Sequence, residues 1–157
     1  MSNYTIVIPT YKRSDLIWQR GTLKFLKSKK INKNKIILFV ADEKEKEIYK
    51  KSVPKDMYSG KIVVGIKGVV KQRNFIVKYF PENKYLVSMD DDVYDLLYKF
   101  SDKKLKSCSS KQLHNLLKNS YHLMKRTNTY IWGINLVSNP FMMQYKVSTN
   151  LGIIPAF

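Results

Sequence analysis

Tyr85-Leu86-Val87-Ser88-Met89-Asp90-Asp91-Asp92 is the stretch on which the fold turns. An apolar run of strand length leads directly into three adjacent carboxylates, so a buried strand delivers a charged group at its end. Working outward, the same pattern recurs. Tyr4 to Pro9 is a β-branched apolar run stopped by Pro9-Thr10, Ile36 to Ala41 is continuously apolar, and Lys61-Ile62-Val63-Val64 is a third short strand. Continuous rather than alternating apolar runs suit strands covered on both faces, as in a parallel sheet.

Helical segments fall between these strands. Ser14-Asp15-Leu16-Ile17-Trp18 opens one that runs through Leu26, and Glu43 to Lys51 reads as an exposed charged helix. Val70 to Tyr79 is a third, ended by Pro81. A fourth, capped by Ser109 or Ser110, carries Leu113, Leu116, Leu117, Tyr121 and Met124 on one face. Tyr130 to Ile134 is expected to form a further strand. The strand–helix alternation predicts an α/β fold with a mostly parallel sheet flanked by helices. In such sheets ligands gather beyond the carboxyl ends of the strands. Pro9-Thr10-Tyr11-Lys12-Arg13, Asp42-Glu43 and Asp90-Asp91-Asp92 are therefore expected to meet on one edge.

Three adjacent carboxylates repel one another unless a cation sits among them. In extended backbone Asp90 and Asp92 project to one side, so both can face a single ion. Two hard oxygen donors plus substrate phosphates suit Mg²⁺ or Mn²⁺, which would neutralise a departing diphosphate. Arg73 and Lys71, on the helix before the acidic strand, are candidate phosphate ligands, and Gly68 leaves backbone N–H groups open to an anion. Taken singly, a solvated turn explains the triplet and an ordinary surface cation explains Arg73.

Composition sets the outer bounds. The 157 residues include 44% hydrophobic and 13% aromatic side chains, enough for one domain with a core. No apolar run approaches the roughly 20 residues that span a bilayer, and the amino terminus reads as a strand, not a secretory signal. A single cysteine, Cys108, excludes an internal disulfide and suits a reducing, cytoplasmic compartment. The net charge is +17, from 25 Lys and 4 Arg against 12 carboxylates, none of them beyond Asp102. An AT-rich coding source accounts for part of the Lys excess but not for the scarcity of acids. So positive a chain attracts polyanions such as nucleic acid, although a merely soluble surface is the plainer explanation.

The ordered set Ile6-Val7-Ile8-Pro9-Thr10-Tyr11-Lys12-Arg13, Asp42, Arg73-Asn74 and Asp90-Asp91-Asp92 resembles the GT-A glycosyltransferases, in particular inverting family 2 and its relatives. The resemblance covers roughly residues 4–95 and implies a Rossmann-like nucleotide-sugar-binding domain. It implies a UDP-sugar donor, with Pro9, Thr10, Tyr11 and Arg13 in the nucleotide loop and Tyr11 stacking near the base. Asp42 is then the base contact, Arg73 and Lys71 hold the diphosphate, and Asp90-Asp91-Asp92 is the DxD motif, with Asp90 and Asp92 on the metal. Ala41-Asp42-Glu43-Lys44 departs from the family's Asp-Asp-Gly-Ser, which leaves Glu43 as a substitute for Asp42. The stretch Ile131 to Met142 looks more like a viral and phage subset. That subset is similar to glucosyltransferases that decorate hydroxymethylpyrimidine DNA bases of the base J type, which would place the protein in host cytoplasm or virion with a nucleic acid acceptor.

An inverting transferase needs a general base, commonly Asp or Glu. None follows Asp102, and His114 and His122 read as structural or surface residues, so the catalytic residue stays unassigned. The apolar ending Leu151 to Phe157 suggests that residues 1–157 form a single GT-A domain that is a fragment or minimal form without its acceptor module. Two other readings remain open. A nucleotidyltransferase also sets nucleotide and metal at strand ends, but Pro9 to Arg13 lacks the usual glycines. A non-catalytic nucleic-acid-binding module explains the charge but not carboxylates at a strand end.

Overall fold

The computed structural model describes residues 4–134, 138–143 and 145. The chain divides into two compact units, residues 1–94 and 95–157. The first holds four strands, β1 (Thr5–Pro9), β2 (Ile36–Val40), β3 (Lys61–Val64) and β4 (Leu86–Ser88), and four helices. These are α1 (Leu16–Gln19), α2 (Thr22–Ser28), α3 (Glu43–Ser52) and α4 (Val69–Tyr79). Every strand pair is parallel, in the order β3-β2-β1-β4. The expected α/β fold is thus the observed one. The chain steps outward from β1 to β3 and then crosses back to lay β4 on the other side of β1. That reversal makes the β1–β4 crevice the topological switch point, where open parallel sheets take their ligands.

The apolar runs form the core. Ile6, Ile8, Leu38, Phe39 and Val40 are fully buried, and α1 and α2 add Ile17, Leu23 and Leu26. Phe39 packs edge-on against Tyr79 and Phe80, with ring centroids 5.5 and 6.2 Å apart, so aromatic contacts seat α4 on the sheet. The segment from Ser14 through Leu26 is two helices rather than the one expected, broken between Gln19 and Thr22. A Cβ on Gly21 would lie 2.4 Å from the carbonyl oxygen of Asp91. The break lets the backbone approach the acidic turn at a distance only glycine allows.

In the second unit β5 (Leu97–Ser101) and β6 (Lys104–Ser107) pair antiparallel, followed by α5 (Ser110–Thr127). Ser109 and Gln112 form a reciprocal capping box at its start, and Asn128 in the left-handed region ends it. Lys99 Nζ donates to the Met143 carbonyl at 2.8 Å and pairs with Asp102 at 2.8 Å, which ties the hairpin to the chain near residue 143. Tyr130 to Ile134 is not the strand expected. Tyr130 and Ile131 are 84% and 70% exposed, and no described strand pairs with the segment. A short run of aromatic residues and isoleucine with no neighbouring strand among the described residues has nothing there to supply its ladder bonds. Residues 151–157 lie outside the described residues. No described helix is long and apolar enough to cross a membrane.

Candidate active site

A cavity of about 480 Å³ opens beyond the carboxyl ends of β1 and β4, within the size range of small-molecule sites. It is lined by Pro9 at the end of β1 and Thr10, Tyr11 and Arg13 beyond it, by Gly68 at the start of α4 and Arg73 on it, and by Asp90, Asp91 and Asp92 after β4. Nine of the residues singled out in the sequence, Gly68 included, thus come together in one cavity. Asp42 and Lys71 are not among its lining. Asp42 is exposed and caps α3, its Oδ1 accepting from the Glu45 N–H at 2.9 Å, and Lys71 is exposed on α4. Glu43 is likewise exposed and pairs with Lys46 at 3.2 Å.

The three carboxylates have different surroundings. Asp91 is 7% exposed; its Oδ2 accepts from the Thr10 hydroxyl at 2.6 Å and its Oδ1 from Arg13 Nη1 at 2.8 Å. The same Arg13 nitrogen lies 2.8 Å from Asp92 Oδ2. Asp90 Oδ1 takes Arg73 Nη2 at 2.9 Å. The side chains of Asp90 and Asp92 are 47% and 45% exposed, so both carboxylates reach solvent while Asp91 is enclosed. Burial pushes the Asp91 carboxyl up from the usual range, opposed by the Thr10 hydroxyl and the Arg13 guanidinium. The hydrogen bond to Asp92, then the charge of Asp91, raise Arg13 in turn.

Other residues hold this arrangement and escaped the sequence reading. Tyr49 on α3 is fully buried, and its hydroxyl lies 2.6 Å from Thr10 Oγ1 and accepts the Arg13 N–H at 3.1 Å. Since Thr10 gives its one hydroxyl proton to Asp91, Tyr49 donates to Thr10. Burial, with nearby Thr10 opposing, pushes the Tyr49 phenol up to about 12. One turn earlier, Glu45 Oε2 accepts the N–H of Lys12, whose φ is 53°. Residues 45 and 49, four apart on one helix face, therefore shape the loop after β1.

The acidic turn has its own clamp. The Thr22 N–H donates to the Asp91 carbonyl at 3.1 Å, its hydroxyl donates to the Asp90 carbonyl, and the Val93 N–H donates to that hydroxyl at 2.9 Å. On the opposite wall, buried Gln72 accepts the Ile66 N–H and donates to the Val40 carbonyl at 3.1 Å, binding α4 to the ends of β2 and β3. The signal for Gly21-Thr22 was a glycine inside an apolar helical pattern. Tyr49 and Gln72 gave no signal beyond being polar-tipped residues on helices.

Among the described residues no group of three His, Cys, Asp or Glu side chains could hold a metal ion. The donor set nonetheless fits an ion held by one or two carboxylates together with substrate phosphates, because Asp90 and Asp92 are hard anionic donors half-exposed in a cavity that also holds two guanidinium groups.

A parallel sheet with paired guanidinium and carboxylate groups beside its switch point defines an α/β protein of Rossmann-like architecture. A family model described as TET-Associated Glycosyltransferase matches residues 4–146, and the chain belongs to that family of glycosyltransferases. No curated protein and no solved structure gives a significant match.

Proposed function

We propose that the protein is a metal-dependent GT-A glycosyltransferase that moves a sugar from a UDP-sugar to an acceptor hydroxyl on a modified DNA base. The observation that carries the reading is the convergence of Arg13 and Arg73 with Asp90, Asp91 and Asp92 in one cavity at the β1–β4 crevice. Arg13 and Arg73 supply planar donors for the diphosphate, and Thr10 and buried Asp91 fix where Arg13 sits. Tyr11, 38% exposed at the cavity wall, offers its ring face to the base. Asp90 and Asp92 would hold Mg²⁺ or Mn²⁺, which when bound neutralises charge on the departing diphosphate. In the reaction the bond from the anomeric carbon to the diphosphate oxygen breaks. A bond from that carbon to the acceptor oxygen forms, the acceptor hydroxyl's proton passes to solvent, and UDP departs.

Asp42 is left out of this assignment, because its carboxylate caps α3 and lies outside the cavity lining. The family membership supports a glycosyltransferase over the nucleotidyltransferase and binding-module readings. The test is incubation with UDP-glucose, Mn²⁺ and DNA carrying 5-hydroxymethyl pyrimidines, read by mass spectrometry. A gain of one hexose per modified base, lost in an Asp90→Ala/Asp92→Ala variant, is expected. Addition of a nucleotide from nucleoside triphosphates, with no hexose transfer, would favour the nucleotidyltransferase instead.

A further inference from the structure

The site in the first unit leaves the most basic part of the chain without a role. Residues 95–157 carry nine Lys and Arg against two carboxylates, Asp95 and Asp102. Both acids are engaged locally: Asp102 pairs with Lys99, and Asp95 Oδ1 accepts from the Ser107 hydroxyl at 2.8 Å. On α5 the cations are ordered. Lys111, Lys118 and Lys125 recur every seven residues, so they stand about 10 Å apart on one face of the helix. All three are exposed, while Leu113 and Leu117 turn the opposite face inward. Asn115 and His122, on the same stripe, are also exposed and carry no negative charge.

We infer that this stripe of α5 is a docking surface for the sugar–phosphate backbone of a nucleic acid, engaged without regard to sequence. Charge complementarity selects the partner: a row of ammonium groups with no carboxylate after Asp102 meets a polymer with a phosphate at every step. Asparagine beside the lysines adds hydrogen-bond donors of the kind that contact phosphate and sugar. A membrane surface is disfavoured, because an interfacial helix needs an exposed apolar face and Leu113 and Leu117 on the apolar face of α5 are buried. The inference deepens the acceptor half of the proposed function and rests on it only for its purpose, since the binding itself is separately measurable.

The experiment is fluorescence anisotropy of the full chain with a labelled 20-nucleotide single strand and a 20-base-pair duplex of mixed sequence, over a salt series. A Lys111→Gln/Lys118→Gln/Lys125→Gln variant should bind about tenfold or more weakly, with a salt slope smaller by about 2 to 3, since each phosphate contact contributes about 0.7 to 0.9. A Lys24→Gln/Lys51→Gln/Lys55→Gln variant, with the same change in net charge on other exposed positions, should bind as the native chain does. Replacing the three α5 lysines with arginine should preserve binding. Equal weakening in the two glutamine variants would overturn the inference, as would binding to anionic vesicles but to neither nucleic acid. UDP binding measured on the same samples separates the two claims: loss of nucleic-acid binding with UDP binding intact bears on the stripe alone, and absence of UDP binding in the native chain bears on the transferase reading alone.

Discussion

At the scale of single residues the site is a set of unequal carboxylates. Asp90 and Asp92 are half-exposed, each against an arginine, while Asp91 is buried between Thr10 and Arg13. Its raised pKa ties stability to pH. A carboxyl that holds its proton more tightly folded than unfolded adds stability below the unfolded value of about 4. That contribution is lost as pH rises through the raised folded value, so ionised Asp91 is a net cost at neutral pH. Asp91→Asn, neutral throughout and still able to accept one hydrogen bond, should melt at a higher temperature than the native chain at pH 7. The gain should shrink toward zero near pH 4 in differential scanning fluorimetry; a gain that stays constant across this range would contradict the assignment. Asp90, Asp91 and Asp92 were legible because charged groups at the end of an apolar run are conspicuous, and Arg73 because it stands on the helix that leads into that run. Asp42 was legible as a residue but not as a cap, since the Glu45 N–H that occupies its carboxylate exists only once α3 has formed.

At the scale of elements, helices the cavity hardly sees decide its shape. The inner face of α3 offers Glu45 and Tyr49 to the loop after β1, and the start of α2 clamps the acidic turn through Thr22. The four parallel strands were legible because their apolar runs, though short, are unbroken, and the helices because polar or amphipathic stretches fill the gaps between them. The same pattern missed the break at Gly21, whose reason is a contact with Asp91 seventy residues away, and the β5–β6 hairpin, whose sequence is too rich in lysine to read as strand. The Tyr130 to Ile134 expectation failed for the converse reason: local β propensity found no neighbouring strand among the described residues. Gly21→Ala would place a methyl group 2.4 Å from the Asp91 carbonyl oxygen. It should cost about 1–3 kcal/mol of stability in chemical denaturation, as overpacking does, and should weaken nucleotide binding by moving the acidic turn. Native stability in this variant would show that the turn is free to shift and that the clamp is not required.

At the scale of the whole molecule, two units carry two kinds of electrostatics. The first concentrates opposite charges in a crevice at the switch point of its sheet, and the second presents an almost purely cationic helix. The order β3-β2-β1-β4 brings residues 9–13 and 90–92 together although about eighty positions separate them. Central to this account is that the crevice binds a nucleotide-sugar with a divalent cation. Isothermal calorimetry of UDP and UDP-glucose, with and without Mn²⁺, tests it most directly on the native chain and on Asp90→Ala/Asp92→Ala. Binding that requires Mn²⁺ and is lost in the variant, while the variant melts as the native chain does, is the predicted result. Equal binding by the native chain and the variant, or native binding indifferent to Mn²⁺, would contradict it.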